Sequence, residues 1–226
     1  MKESASKGKR DSEVRIPIDS IILEGNLIIP EGAKGIVVFA HGSGSSRYSP
    51  RNQYVARELQ KEGLGTLLFD LLTAEEERID MVTAHLRFDI DLLANRLVDV
   101  TTWLSSNPDT KELNIGYFGA STGAAAALIA AKERSNAVKA VVSRGGRPDL
   151  AEKALPGVKA PTLLIVGGED FQVIDMNQWA LDRLTVKEKQ LKIVPGATHL
   201  FEEPGTLEEV AHLAGEWFKK YLLEER

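Results

Sequence analysis

The sequence predicts an α/β fold: a doubly wound, mostly parallel sheet covered by helices, with an antiparallel ribbon at its N-terminal end. Three observations predict it. Short uninterrupted apolar runs such as Ile36-Val37-Val38-Phe39-Ala40 are what strands show when helices cover both faces of their sheet. Segments of helical period alternate with these runs along the chain, the order that builds a parallel sheet. The 226 residues, 43% hydrophobic and 27% charged, suit one buried core and are too few for two comfortable domains.

Residues Met1 to Glu13 are polar and charged and read as a flexible leader, which leaves 14–226 as a single domain. The leader lacks the apolar centre of an export signal and the Arg-rich pattern of a transit peptide, so a cytoplasmic setting is expected. No apolar stretch approaches the roughly 18 to 20 residues needed to cross a bilayer, and no membrane partner is expected. Val14 to Ile18 and Ile21 to Ile29 read as the two arms of the ribbon, the second interrupted at Gly25-Asn26 and ended by Pro30. Ile36 to Ala40 is the first buried strand. A helix over Asn52 to Lys61, stopped by Gly63 and Gly65, leads to a second at Thr66 to Phe69, completing a crossover.

Leu71 to Arg87 is the least regular stretch and is expected to be a mobile flap near a site, with Glu75-Glu76-Glu77 as a solvated face. Apolar residues from Phe88 to Leu104 recur on one helical face, and Asn107-Pro108 ends that helix. Strands follow at Asn114 to Phe118, Val138 to Ser143, Thr162 to Val166 and Gln190 to Val194. An alanine-rich helix, Ser121 to Ala131, follows the first of them. Leu207, Val210, Ala211, Ala214, Trp217, Phe218 and Leu222 share one face of a closing helix that should dock on the sheet. No long insertion interrupts the later strands, so no large cap is expected and the site should be shallow and open.

Net charge is -5 with acids and bases interspersed, so no basic face is available to release counterions from nucleic acid. The chain has no cysteine, which excludes disulfides, thiolate metal ligands and a cysteine nucleophile. No metal site is read. Gly119-Ala120-Ser121-Thr122-Gly123 matches G-x-S-x-G, a strand-to-helix turn that sets a serine hydroxyl at the carboxyl edge of a sheet. The pattern alone is weak. Its position between an apolar strand and a helix is the setting that the chemistry requires, and it makes Ser121 the candidate nucleophile.

A serine hydroxyl needs a base, and the base needs a group that holds its tautomer. Of four histidines, His212 falls within the closing helix, His85 in the irregular stretch and His41 in an early loop. His199 lies in the turn-rich loop after the last strand, where a base following nucleophile and acid in chain order belongs. Asp170, after the strand Leu163 to Val166, is the orienting acid, favoured over the neighbouring Glu169 and over Asp175 in the next helix. Two backbone N–H donors should face the oxyanion, that of Thr122 at the helix start and that of Ser43 in His41-Gly42-Ser43-Gly44. A phosphate cradle is the competing reading of this loop, but neither glycine-rich nucleotide signature is present. Arg144 and Arg147, after the strand at Val138, are candidates to grip a substrate carboxylate. A salt bridge to a neighbouring acid is the alternative for each.

These motifs together resemble the α/β-hydrolase superfamily, and within it the dienelactone hydrolase-like group of small, lidless members, over Ile16 to Leu222. The resemblance implies the α/β-hydrolase fold, no cofactor, and a hydrolase that cleaves an ester, lactone or related acyl bond of a small soluble substrate through a Ser-His-Asp triad and an acyl-enzyme. Carbon-carbon hydrolysis, acyl transfer, perhydrolysis or a non-catalytic small-molecule-binding module are the alternatives on the same scaffold. Dienelactone hydrolases proper use a cysteine nucleophile, and position 121 is serine, a departure that bears on the substrate. Related domains are in some cases fused to a phosphoribosyltransferase, and none is read here. A homodimer is the oligomer such domains commonly form.

Overall fold

A computed structural model describes residues 9–223. One eight-stranded sheet organises them, in the order β1-β2-β4-β3-β5-β6-β7-β8. The strands β1 (Lys9–Ile18) and β2 (Ile21–Pro30) form an antiparallel hairpin, and β2 also pairs antiparallel with β4 (Gly65–Phe69). All remaining neighbours are parallel: β3 (Gly35–Ala40), β5 (Asn114–Ala120), β6 (Val138–Arg144), β7 (Thr162–Gly167) and β8 (Lys189–Val194). The central strands β3, β4 and β7 are buried along their whole length, which is why they read as unbroken apolar runs.

Helices α1 (Pro50–Lys61) and α6 (Thr206–Phe218) cover one face through Val55, Leu59, Val210, Ala214 and Phe218, packed on Val37, Phe39 and Phe118. Helices α3 (Ile90–Ser106), α4 (Thr122–Glu133) and α5 (Phe171–Arg183) cover the other, with Leu93, Leu97, Leu128 and Ala180 against Val38, Leu67 and Tyr117. The alanines of α4 are buried from Ala124 to Ala127, so small side chains let this helix lie close to both the sheet and α3. No helix of the described residues is long and apolar enough to cross a membrane.

Several expectations are corrected. The first strand starts at Lys9 rather than Val14, since the register continues from Val14↔Gly25 outward to Lys9↔Pro30, and only 1–8 of the expected leader lie outside the described residues. The second arm of the ribbon is continuous, because Gly25 and Asn26 pair on both sides, with Val14 and Glu13 and with Phe69 and Leu68. The stretch Leu71 to Arg87 is not irregular: it forms α2 (Ala74–Thr83) followed by a 3-10 turn at Leu86–Phe88. Thr73 and Glu76 make a reciprocal capping box at its start, and Glu76 also pairs with Arg96 of α3, so this acid is more than a solvated face. Phe88 stays in the turn and is exposed, and α3 begins at Ile90.

Candidate active site

The carboxyl ends of the parallel strands carry every candidate catalytic residue. Ser121 stands between β5 and α4 with φ 51° and ψ -123°, a conformation that a side chain disfavours. Hydrogen bonds hold it there. Its N–H donates to the Arg144 carbonyl at 3.3 Å, and its carbonyl accepts from the Arg147 N–H at 3.0 Å. The segment after β6 therefore clamps the bend from outside. From inside, α4 crosses the end of β3 so closely that a side chain at Gly123 would lie 2.2 Å from the Ala40 carbonyl oxygen. This contact requires glycine and brings the His41-Gly42-Ser43-Gly44 loop beside Ser121: a side chain at Gly42 would meet Ser121 Cβ at 3.1 Å.

The loops after β7 and β8 are joined by backbone bonds, Gly168 N–H to the Val194 carbonyl at 2.8 Å and Glu169 N–H to that of Ala197 at 3.0 Å. They bring Asp170 Oδ2 to 2.6 Å from His199 Nδ1. The His199 side chain is 40% exposed and Asp170 only 17%. With Nδ1–H donated to the carboxylate, Nε2 is the nitrogen left to accept a proton. Gly145, at φ 51°, passes under the imidazole, where a side chain would come within 3.5 Å of Cε1. The 144–147 segment thus touches both the serine turn and the histidine.

Ser43 and Thr122 are brought together, with a qualification that the sequence does not show. The Ser43 N–H donates to Thr122 Oγ1 at 2.9 Å, so this amide is engaged by a neighbouring hydroxyl. Thr122, the first residue of α4, has no acceptor for its own N–H within the helix, and that donor is available at the positive end of the dipole. His41 shapes the loop. Its Nδ1–H reaches the Gly42 carbonyl at 2.9 Å while Nε2 accepts the Leu71 N–H at 3.1 Å, which requires a neutral ring. Burial pushes its pKa below the ordinary histidine value, against the opposing effects of Gly42, Asp70 and Glu77.

The two arginines separate. Arg147 makes a two-pronged ion pair with Asp149, Nε at 2.9 Å and Nη2 at 2.8 Å, so the salt-bridge alternative describes it. Arg144 is buried. It donates to Asn52 Oδ1 at 3.2 Å and lies 6.0 Å from the Phe201 ring centre, and among the described residues no carboxylate ion-pairs with it. Burial, then the neighbouring Arg51, pulls its pKa down to about 10. Glu169, Asp175, His85 and His212 are exposed, as expected of residues outside the site.

Sequence reasoning missed Glu203, whose carboxylate takes both the N–H and the hydroxyl of Thr198 and so closes the turn that presents His199. It also missed Asp80. That carboxylate gathers the Leu86 and Arg87 amides and the Arg87 side chain, folding the end of α2 back beside Gly44. Acids five to seven residues from their partners, in a loop or at a helix end, were the available signal. A narrow recess lies between α2 and the Gly42-Ser43-Gly44 loop, lined by Asp70, Glu77, Asp80 and Arg87 with Leu71 and Leu93. Ser121, Asp170 and His199 lie outside it, on the open edge.

A strained serine at a strand-to-helix bend, an acid and a histidine after the next strands, and a sheet of this order define an α/β-hydrolase. The chain belongs to the dienelactone hydrolase family, whose model matches residues 23–222. It is 64% identical to the dienelactone hydrolase of Anabaena variabilis, with a TM-score of 0.93 over 95% of this chain and 99% of that one. Est1E of Butyrivibrio proteoclasticus shares the fold at 16% identity, with a TM-score of 0.77 over 92% and 98% of the two chains. Proteins of two Mycobacterium tuberculosis strains, each named "Putative phosphoribosyl transferase", are 60% identical over 213 residues, 94% of this chain. The chain spans 47% of their length, about half of the curated relatives it matches.

Proposed function

We propose that this hydrolase cleaves an ester, lactone or related acyl bond of a small molecule through Ser121, His199 and Asp170. The Asp170–His199 bond at 2.6 Å carries the reading, because it directs Nε2 toward the role of proton acceptor beside a strained serine. Ser121 Oγ attacks the acyl carbon as His199 Nε2 takes its proton. The oxyanion is received by the amide of Thr122, and by that of Ser43 once it turns from Thr122 Oγ1, each such donor contributing about 3–4 kcal/mol in this chemistry. His199 then returns the proton to the leaving oxygen, and water attacks the acyl-enzyme by the reverse path. Asp170 holds the imidazole and stabilises its cationic form.

Buried without a carboxylate, Arg144 is the arginine suited to meet an anionic group on the substrate, whereas Arg147 is occupied by Asp149. A cytoplasmic, homodimeric enzyme is part of the same proposal. Phosphoribosyl transfer is not, since the family match occupies nearly all of the segment shared with the longer mycobacterial proteins. The test is labelling of Ser121 by a fluorophosphonate probe together with turnover of p-nitrophenyl acetate. Both are expected in the intact protein, and Ser121→Ala should lose the label and at least about 10³-fold in kcat. An intact protein that neither labels nor turns over would sink the reading.

A further inference from the structure

Exposed apolar side chains are unevenly distributed over this surface. Among the described residues ten large hydrophobics are exposed, and only Ile22 and Ile193 lie within strands. The other eight follow the carboxyl ends of β3, β4, β6, β7 and β8, on the edge that holds the nucleophile. Single exposed hydrophobics need no explanation, but apolar groups gathered at a polar catalytic edge do. Three of them adjoin the triad. Phe171, 67% exposed, follows Asp170, and Leu200, 40% exposed, follows His199, so the Asp170–His199 bond holds these two chain positions near each other. Leu150, also 40% exposed, sits in the 3-10 turn at Pro148–Ala151, which packs on α5 and continues the segment that clamps Ser121.

The chemistry assigns a side to these residues. In an acyl transfer the bond between the acyl carbon and the leaving oxygen breaks as that oxygen takes the proton His199 received from Ser121. The leaving group must therefore lie against the histidine, while the oxyanion faces Ser43 and Thr122. Phe171 and Leu200 come directly after the acid and the histidine in the chain, and Leu150 follows the segment that clamps Ser121. On the oxyanion side the recess is narrow, about 30 Å³, and its walls mix Asp70, Glu77, Asp80 and Arg87 with Leu71, Leu72 and Leu93, so it has room for a small acyl group and not for a long hydrocarbon.

We propose, resting on the hydrolase reading above, that Phe171, Leu200 and Leu150 form an apolar leaving-group subsite. The substrates are then esters or lactones whose alcohol portion is apolar and whose acyl portion is small. Continuity with Asp170 and His199 is the reason to assign the patch to substrate rather than to a second copy of the chain.

The test compares two series of equal size and nearly equal leaving-group basicity: ethyl, butyl and hexyl acetate, and ethyl acetate, butyrate and hexanoate. Active sites are counted by fluorophosphonate labelling. From ethyl to hexyl acetate kcat/KM is expected to rise about tenfold, while ethyl hexanoate stays within about twofold of ethyl acetate. Phe171→Ser with Leu200→Ser should reduce the hexyl-to-ethyl ratio to about two. Both side chains are exposed, and sedimentation monitors the assembly of the variants. A steeper gain along the acyl series, or an unchanged ratio in the double variant, would overturn the subsite. So would a loss of dimer with unchanged selectivity, which would make the patch an interface between copies. Absence of both label and turnover would remove the hydrolase reading itself, and the subsite with it.

Discussion

Thr122 contributes two groups to the same small volume. Its N–H is a free helix-start donor, and its hydroxyl accepts the Ser43 amide and ties the loop after β3 to the start of α4. Removing the hydroxyl while keeping the shape should let that loop shift. Thr122→Val is expected to lower kcat about tenfold with little change in KM, and Thr122→Ser to stay within about twofold of the parent, as read by steady-state kinetics. A faster Thr122→Val enzyme would mean that the hydroxyl competes with the oxyanion. His41 makes a pH prediction. Its folded-state pKa is depressed, chiefly by burial, and protonating Nε2 would displace the Leu71 amide. Below the unfolded value of about 6.5 the unfolded chain binds the extra proton first, so stability falls as pH drops from there toward the folded pKa. Urea unfolding at pH 7.5 and 5.5 should show a larger loss for the wild type than for His41→Gln, and imidazole NMR should show His41 titrating below the ordinary histidine value.

At the scale of elements, the polar sequence from Leu71 to Arg87 is ordered by contacts at its ends. The Thr73–Glu76 capping box starts α2, Glu76 pairs with Arg96 of α3, and Asp80 gathers the chain that returns through Ala84 in a left-handed conformation. Burial pushes the Asp80 carboxyl up, and its hydrogen bonds from Arg87 and Leu86 outweigh that and hold it below the usual range. Because α2 is held at its ends and carries exposed Ile79, Met81 and Val82, it should be a local unit of stability. Thr73→Ala is expected to cost about 1 kcal/mol there, speeding hydrogen exchange of α2 amides about fivefold while β5 amides are unaffected. Equal acceleration in β5 would show that α2 does not open independently.

Over the whole molecule, the C-terminal segment closes one face of the sheet. After α6 the chain runs through a wide helical turn at Lys219–Leu223. Leu222 is fully buried there, and Asn114 at the start of β5 donates through Nδ2 to its carbonyl at 2.9 Å. Leu222 thereby packs on the strand that leads to Ser121. Leu222→Ala should destabilise the protein by about 2–5 kcal/mol in urea unfolding, with the transition moving as one. A change under about 1 kcal/mol would show that this segment contributes little to the core.

Strand and helix order, the buried strands and the docking face of α6 were legible in the sequence because they depend on apolar periodicity, a local property. A motif and two loops in chain order singled out Ser121, Asp170 and His199 as candidates, and all three lie at the carboxyl ends of strands, with Asp170 bonded to His199. Leu71 to Arg87 was not, since its order comes from ion pairs and caps to separate segments, to which hydropathy is blind. Nor could the sequence choose between Arg144 and Arg147. Arg144 ends β6 and Arg147 comes three residues later, and only packing shows that one turns to Asn52 and Phe201 and the other to Asp149. The sequence by itself determined which elements form and which side chains bring reactive groups to one edge. Tertiary structure decided which of those groups are paired, which face is apolar and where Ser43 donates, because such contacts depend on distances between residues far apart in the chain.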